Sequence, residues 1–170
     1  MGDRAQSESA PVMFSERLTN SAAFGTLFRE GMDLVEETAA YLDGDGRSEA
    51  KALERSVSLT YATESMRLTT RLMQLASWLL LHRAVKEGEM TLTQANREKT
   101  KVKLTAADPG PDDMIAKLPQ QLQDLIARSM SLQARVRRLD VTIHASSAER
   151  APIGNPLVPQ LNRLKAAFEQ

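Results

Sequence analysis

Residues 49–87 read EAKALERSVSLTYATESMRLTTRLMQLASWLLLHRAVKE and contain neither proline nor glycine. Because these two residues are the strongest helix breakers, the stretch predicts one continuous helix. At 1.5 Å per residue this helix would be roughly 60 Å long. Ser48 precedes it as a candidate N-cap. A helix of this length is expected to organise the whole fold.

The predicted central helix carries apolar residues in two adjacent rows. The first row comprises Leu59, Ala62, Met66, Thr69, Met73, Ala76 and Leu80, and the second comprises Tyr61, Ser65, Leu68, Leu72, Leu75 and Leu79. At about 100° per residue, the two rows together form an apolar face roughly 200° wide. One partner helix covers only about half of such a face, so this helix is expected to contact at least two others.

Two further amphipathic patterns flank the central helix. From Phe24 to Leu42, apolar residues recur at steps of three and four, and the Asp-Gly pairs at 43–46 are expected to end this first helix. A third helix is predicted to begin near Asp112 or at Pro119, after a connection at 88–111 that contains one short helix. Its apolar seam alternates steps of three and four through Ile115, Leu118, Leu122, Leu125, Ser129, Leu132, Val136, Leu139 and Ile143.

These patterns predict an all-α fold: an antiparallel three-helix bundle with a long central helix and a loose, proline-containing C-terminal tail. The bundle domain would cover residues 15–146, between a flexible N-terminus at 1–14 and a flexible tail at 147–170 with a short amphipathic segment. That segment contains the apolar residues Leu157, Val158, Leu161, Leu164 and Phe168. We expect these residues to bind a partner, the last three on one face of a helix formed on binding. The alternative is that this face docks onto the chain's own bundle.

The composition argues against several classes of function. The 170 residues include no cysteine and only two histidines, which excludes disulfides, thiol chemistry and a multi-histidine metal site. The sequence contains no phosphate-binding loop, dinucleotide fingerprint or nucleophile elbow. We therefore expect no catalytic, cofactor or metal site. We interpret His82 as a residue near a helix C-terminus that favours the helix dipole, and the alternative is a catalytic base. The sequence shows no signal peptide or membrane span, so a cytoplasmic location is expected.

The charge of the chain is balanced but unevenly distributed. Lysines and arginines number 22, as do acids, so the whole chain is not drawn to nucleic acid. Residues 29–49 are strongly acidic, whereas residues 128–140 contain four arginines and one aspartate. We expect solvated faces or pairing between these two segments. The alternative is a small helical DNA-associated regulator that contacts phosphates through Arg135, Arg137 and Arg138.

One row of the central helix combines the only tryptophan of the chain with two arginines. This Arg–Trp row consists of Arg67, Arg71, Gln74 and Trp78. The row is expected on the face opposite the core, and these residue types are enriched where proteins bind one another. We therefore predict that the Arg–Trp row binds a partner. The alternative is that Trp78 extends an edge of the core.

Four segments carry a resemblance to a known family: EGMDLVEE at 30–37, YLDGDGR at 41–47, ESMRLTTRLMQLASWLL at 64–80 and LQARVRRLD at 132–140. They resemble the RcdA family, the alphaproteobacterial "regulator of CtrA degradation" proteins. The resemblance covers about residues 14–145. It implies a dimeric three-helix bundle that acts as a non-catalytic adaptor for the ClpXP protease.

The same resemblance implies the partners. They would be the ClpX unfoldase, a response-regulator adaptor, client cell-cycle regulators and a second copy of the chain. A cytoplasmic protein concentrated at a cell pole is expected, without membrane or nucleic-acid binding.

Overall fold

The computed structural model describes residues 21–99 and 108–148, and every regular element within these two ranges is an α-helix. The helices are α1 (Ala22–Asp43), α2 (Asp45–Ala52), α3 (Arg55–Lys86), α4 (Leu92–Lys99), α5 (Asp112–Ile115) and α6 (Gln120–Ala148). The predicted all-α class is therefore confirmed. The predictions of a flexible segment at 1–14 and of most of the tail fall outside the described residues.

The central helix is interrupted, which corrects the prediction of a single helix over residues 49–87. Leu53 and Glu54 adopt extended backbone angles between α2 and α3, with ψ of 148° and 151°. The second Asp-Gly pair begins α2 instead of ending α1, and Ser48 lies inside α2. At Gly46, an added Cβ would lie 2.6 Å from the Tyr61 hydroxyl oxygen, so α2 lies tightly against α3. Packing of this kind favours the break.

Helix α1 lies within two residues of the predicted bounds and buries most of the predicted face. The Ser21 hydroxyl accepts a hydrogen bond from the Phe24 N–H at 3.3 Å, which caps the first turn. The residues that α1 buries recur at steps of three and four: Phe24, Leu27, Gly31, Leu34, Thr38 and Tyr41. This face packs against both α3 and α6.

The later helices also follow the sequence pattern. Thr91 and Gln94 cap α4 reciprocally, because each side-chain oxygen accepts the other residue's backbone N–H, at 3.2 and 2.9 Å. The predicted seam is confirmed on α6, where Leu122, Leu125, Ser129, Leu132, Val136 and Ile143 are buried and Leu139 is half-buried. Its first two members precede α6, since Ile115 ends α5 and the buried Leu118 lies between the two helices. Helix α3 contacts α1, α4 and α6, which confirms that it packs against at least two others.

Candidate protein-interaction surface

The Arg–Trp row does not lie opposite the core, and this prediction of its placement is wrong. Arg71 and Trp78 are each only 1% exposed, while Gln74 is half-buried and the Arg67 side chain is 34% exposed. The reason is that α6 packs against α3 on the side that was expected to be open. Arg71 and Trp78 therefore offer no surface to a partner in the folded chain.

Trp78 is buried because its polar atom has a partner on another helix. Its indole N–H donates to Oδ1 of Asp140 at 2.8 Å. The ring lies 4.0 Å from the His82 ring and 6.4 Å from the Phe24 ring, measured between centroids. Lys99 at the end of α4 donates to both Asp140 oxygens, at 2.5 and 2.6 Å. The aromatic ring thus closes one end of the core.

His82 is also interior, which changes its interpretation. It is 1% exposed, and burial lowers its pKa from 6.5 to about 4. Asp140 opposes this shift, whereas Lys99 and His144 add to it. The imidazole is therefore neutral near pH 7, so the expected favourable charge at the end of the helix is wrong.

A second polar group in the interior surrounds Arg71. Its guanidinium donates to the Ser129 hydroxyl at 3.0 Å, and burial lowers its pKa while nearby Glu64 opposes the shift. Glu64 is only 2% exposed, and its Oε1 accepts hydrogen bonds from Arg67 at 2.5 Å and from the Gly110 N–H at 3.0 Å. These contacts connect α3 to α6 and to the segment before α5.

The exposed face of α3 is formed by apolar residues and not by the Arg–Trp row. Leu59, Met66, Met73 and Leu80 are 71%, 72%, 67% and 52% exposed, and they follow one another at steps of seven. Small residues fill the positions between them: Ala62, Thr63, Thr69, Thr70, Ala76 and Ser77. We call these ten residues the α3 stripe. Most of them belong to the first apolar row of the sequence, which the described chain leaves uncovered.

The α3 stripe carries no charge. Between residues 56 and 82 the only charged side chains are the buried Glu64 and Arg71 and the partly exposed Arg67, which is bound to Glu64. Hydroxyl groups of this face donate to carbonyls four residues earlier, in the pairs Thr60–Ser56, Thr63–Leu59, Thr69–Ser65 and Ser77–Met73. With their protons engaged in this way, these side chains present less polar surface to water. Large uncharged apolar surfaces of this kind mark interaction sites.

An apolar cleft between α1 and α3 adjoins the α3 stripe. It is lined by Val35, Thr38, Ala39 and Leu42 of α1 and by Thr69, Leu72, Met73 and Ala76 of α3. Its volume of about 170 Å³ is enough for one large apolar side chain. Since Thr69, Met73 and Ala76 belong to both features, the stripe and the cleft form one continuous surface.

The basic segment of α6 is partly neutralised by α1. Arg128 pairs with Glu37 at 2.7 Å, and Arg135 pairs with Glu30 at 2.6 Å. The expected pairing between the acidic and basic segments is therefore confirmed for these two arginines. Arg137 and Arg138 lie exposed on the same helix.

Other kinds of site find no support within residues 21–99 and 108–148. No group of three or more histidines, aspartates or glutamates in these ranges is placed to hold a metal ion. None of the described helices is long and apolar enough to cross a membrane. The predicted tail residues Leu157, Val158, Leu161, Leu164 and Phe168 lie outside the described part of the chain.

The comparisons with known proteins place the chain in a family. The family model described as "Protein of unknown function (DUF1465)" matches residues 15–168. The crystal structure of RcdA from Caulobacter crescentus CB15 is 49% identical in sequence, with a TM-score of 0.60 over 75% of this chain and 96% of that one. The chain belongs to the RcdA family. No curated protein matches it. The resemblance to the RcdA family in four sequence segments is thereby confirmed.

Proposed function

We propose that this chain is a non-catalytic adaptor that promotes the regulated degradation of cell-cycle regulators by the ClpXP protease. The observation that carries the proposal is the membership of the chain in the RcdA family. The resemblance of the chain to this family implies the adaptor role. The partners would be the ClpX unfoldase, a response-regulator adaptor and client regulators. The chain would act in the cytoplasm, concentrated at a cell pole.

An adaptor needs surfaces and a rigid scaffold but no chemistry of its own. Holding a client beside the protease raises its effective concentration there without any new catalytic group. The long helices α1, α3 and α6 contact one another, and we propose that they form the antiparallel three-helix bundle expected from the sequence. The partly buried contacts of Asp140 and Glu64 would keep this scaffold rigid.

The α3 stripe supports an assembly with other proteins. Its four large apolar side chains are more than half exposed and lie along one helix face without an intervening charge. Burying such side chains contributes roughly 1.5–3 kcal/mol each. A partner that covers the stripe would therefore gain a large free energy of association. We propose that this partner is a second copy of the chain, which makes the adaptor a homodimer.

The test is a degradation assay reconstituted from purified ClpX, ClpP, the response-regulator adaptor and a client regulator. Adding the chain should shorten the half-life of the client severalfold. Met73→Glu places a charge in the α3 stripe and should abolish the effect. Val141→Glu is the matched control, because Val141 is 68% exposed but lies on α6. A client half-life unchanged by the wild-type chain would overturn the adaptor proposal.

The DNA-associated alternative depends on the arginines of α6. Arg137 and Arg138 are exposed, but Arg135, the third proposed phosphate contact, is bound to Glu30. A gel-shift titration over increasing salt tests it, because phosphate contacts weaken steeply with salt. Tight binding that is lost in an Arg137→Ala/Arg138→Ala variant would favour this alternative.

A further inference from the structure

A lysine at the end of the short helix α4 fastens this helix to α6. The ammonium nitrogen of Lys99 lies 2.5 and 2.6 Å from the two carboxylate oxygens of Asp140 and 3.1 Å from Nε2 of His144. An ammonium group has three N–H donors, so these three acceptors satisfy it completely. Asp140 also accepts the indole N–H of Trp78, so the contact continues from α4 into the core.

The bond between Lys99 and His144 depends on the charge of the imidazole. Nε2 of His144 can accept a hydrogen bond only while it carries no proton. A protonated His144 would be a donor and would place a second positive charge 3.1 Å from the ammonium group. Because His144 is exposed, water weakens this repulsion, and the lost hydrogen bond is the larger effect. Histidine is the side chain whose charge ordinarily changes between about pH 5 and 8.

The other groups around His144 favour the same response to acid. Asp140 lies four residues earlier on α6 and would attract a protonated His144, which would then compete with Lys99 for one carboxylate. His82 of α3 also lies close to this group, but it is 1% exposed and burial lowers its pKa to about 4. His82 is therefore neutral at pH 5.5. Of the two imidazoles, His144 is the one that can respond to mild acid.

Helix α4 is poorly suited to remain folded without its anchor on α6. It has eight residues, Leu92–Lys99, and isolated helices of this length are unstable in water. Ala95 is the one residue of α4 that is buried. Asn96 weakens the docking, because its Oδ1 is buried and has no hydrogen-bond partner within the described part of the chain. The docked position of α4 therefore depends strongly on the three bonds of Lys99.

We propose that Lys99, Asp140 and His144 form an acid-sensitive latch for α4. The helix is docked while His144 is neutral and is released when His144 takes up a proton. Release would remove Lys99 from the carboxylate that also holds Trp78, so one end of the core would loosen in mild acid. This device goes beyond the proposed adaptor role and does not depend on it.

Hydrogen exchange of the full chain at pH 7.5 and pH 5.5 tests the latch. Protection factors correct for the direct effect of pH on exchange and report how often each helix opens. Those of the α4 amides should fall about fivefold at the lower pH, which corresponds to the loss of one net hydrogen bond. The amides of α1 report global stability in the same sample, so the change in α4 is measured relative to them. An α4 that keeps its relative protection at pH 5.5 would overturn the proposal.

Three variants identify the group that senses the acid. His144→Gln keeps an acceptor for Lys99 that cannot be protonated, so its α4 should stay protected at both pH values. His144→Lys carries a permanent positive charge, and its α4 should exchange about fivefold faster than the wild type already at pH 7.5. His82→Phe is the matched control and should keep the acid response of α4. A response that persists in His144→Gln and disappears in His82→Phe would assign the sensor to His82 and overturn the latch.

Discussion

Trp78 donates its indole N–H to Oδ1 of Asp140 at 2.8 Å, and this bond joins α3 to α6 inside the protein. The same carboxylate holds Lys99 of α4, so three helices meet at one side chain. The Lys99 and Asp140 side chains are 17% and 16% exposed. A pair so shielded from water is coupled more strongly than one on the surface. Trp78 is therefore a structural residue.

Replacing Trp78 by alanine should destabilise the fold. The change removes a large buried ring and the donor to Asp140, so the free energy of unfolding should fall by about 3–5 kcal/mol. Thermal and urea melts followed by circular dichroism measure the loss. Met73→Ala is the contrasting variant, because Met73 is 67% exposed. It should lower the free energy of unfolding far less than Trp78→Ala does and should weaken the association of the chain. Unchanged stability in Trp78→Ala would contradict the structural assignment.

The three long helices α1, α3 and α6 and the short α4 were predictable because they depend on local patterns, whereas α2 and α5 as separate helices were not. The seam of α6 from Leu122 to Ile143 alternates steps of three and four and is buried along one face except at the half-buried Leu139, so its period alone identifies most of the buried residues. The break at Leu53 was not predictable. It has no proline or glycine at the turn and follows from contacts such as that between Gly46 and Tyr61, which are distant in sequence.

The orientation of α3 was the part that sequence patterns could not supply. Tryptophan, arginine and histidine are costly to bury unless their polar atoms find partners, and those partners are on other helices. Asp140 and Ser129 give Trp78 and Arg71 such partners. One available signal was missed: Leu59 and Met66 begin a strict seven-residue spacing, which is typical of a helix–helix seam.

Acidification should destabilise the chain through His82. Its pKa in the folded protein is lowered to about 4, so between the ordinary 6.5 and this value the unfolded chain binds more protons. The contribution of the neutral His82 to stability is complete above pH 6.5 and is lost as the pH falls toward 4. From pH 7.5 to pH 5, His82 alone should cost about 2 kcal/mol of unfolding free energy.

The matched variant for this prediction is His82→Phe, which keeps a ring beside Trp78 but cannot titrate. Urea denaturation of both proteins at the two pH values measures the difference, and titration of the other groups cancels in the comparison. The variant should lose about 2 kcal/mol less than the wild type on acidification. Equal losses would show that His82 is not held neutral.

Two glycine substitutions should have opposite effects on stability. At Gly46 an added Cβ would lie 2.6 Å from the Tyr61 hydroxyl oxygen and 2.7 Å from the Tyr41 carbonyl oxygen, and the latter is backbone. Gly46→Ala should therefore destabilise the fold by about 1–3 kcal/mol. Gly25→Ala meets nothing within 4 Å inside α1 and should stabilise by about 0.5–1 kcal/mol. Urea midpoints measure both, and a stabilising Gly46→Ala would contradict the close approach of α2 to α3.

Deleting residues 148–170 tests whether the tail is a docking segment. The tail lies almost wholly outside the described residues, and the stripe, the cleft and the Asp140 contacts all lie before it. We therefore expect the melting temperature and the self-association of the truncated chain to match the wild type. The apolar residues Leu161, Leu164 and Phe168 recur at steps of three and four, which suits a helix that forms on a partner. Delivery of at least some clients in the reconstituted degradation assay should accordingly be impaired.

The control is a full-length chain with Leu161→Ser, Leu164→Ser and Phe168→Ser, which should reproduce the defect without shortening the chain. A lower melting temperature with intact delivery by the folded protein would show instead that the tail docks on its own chain.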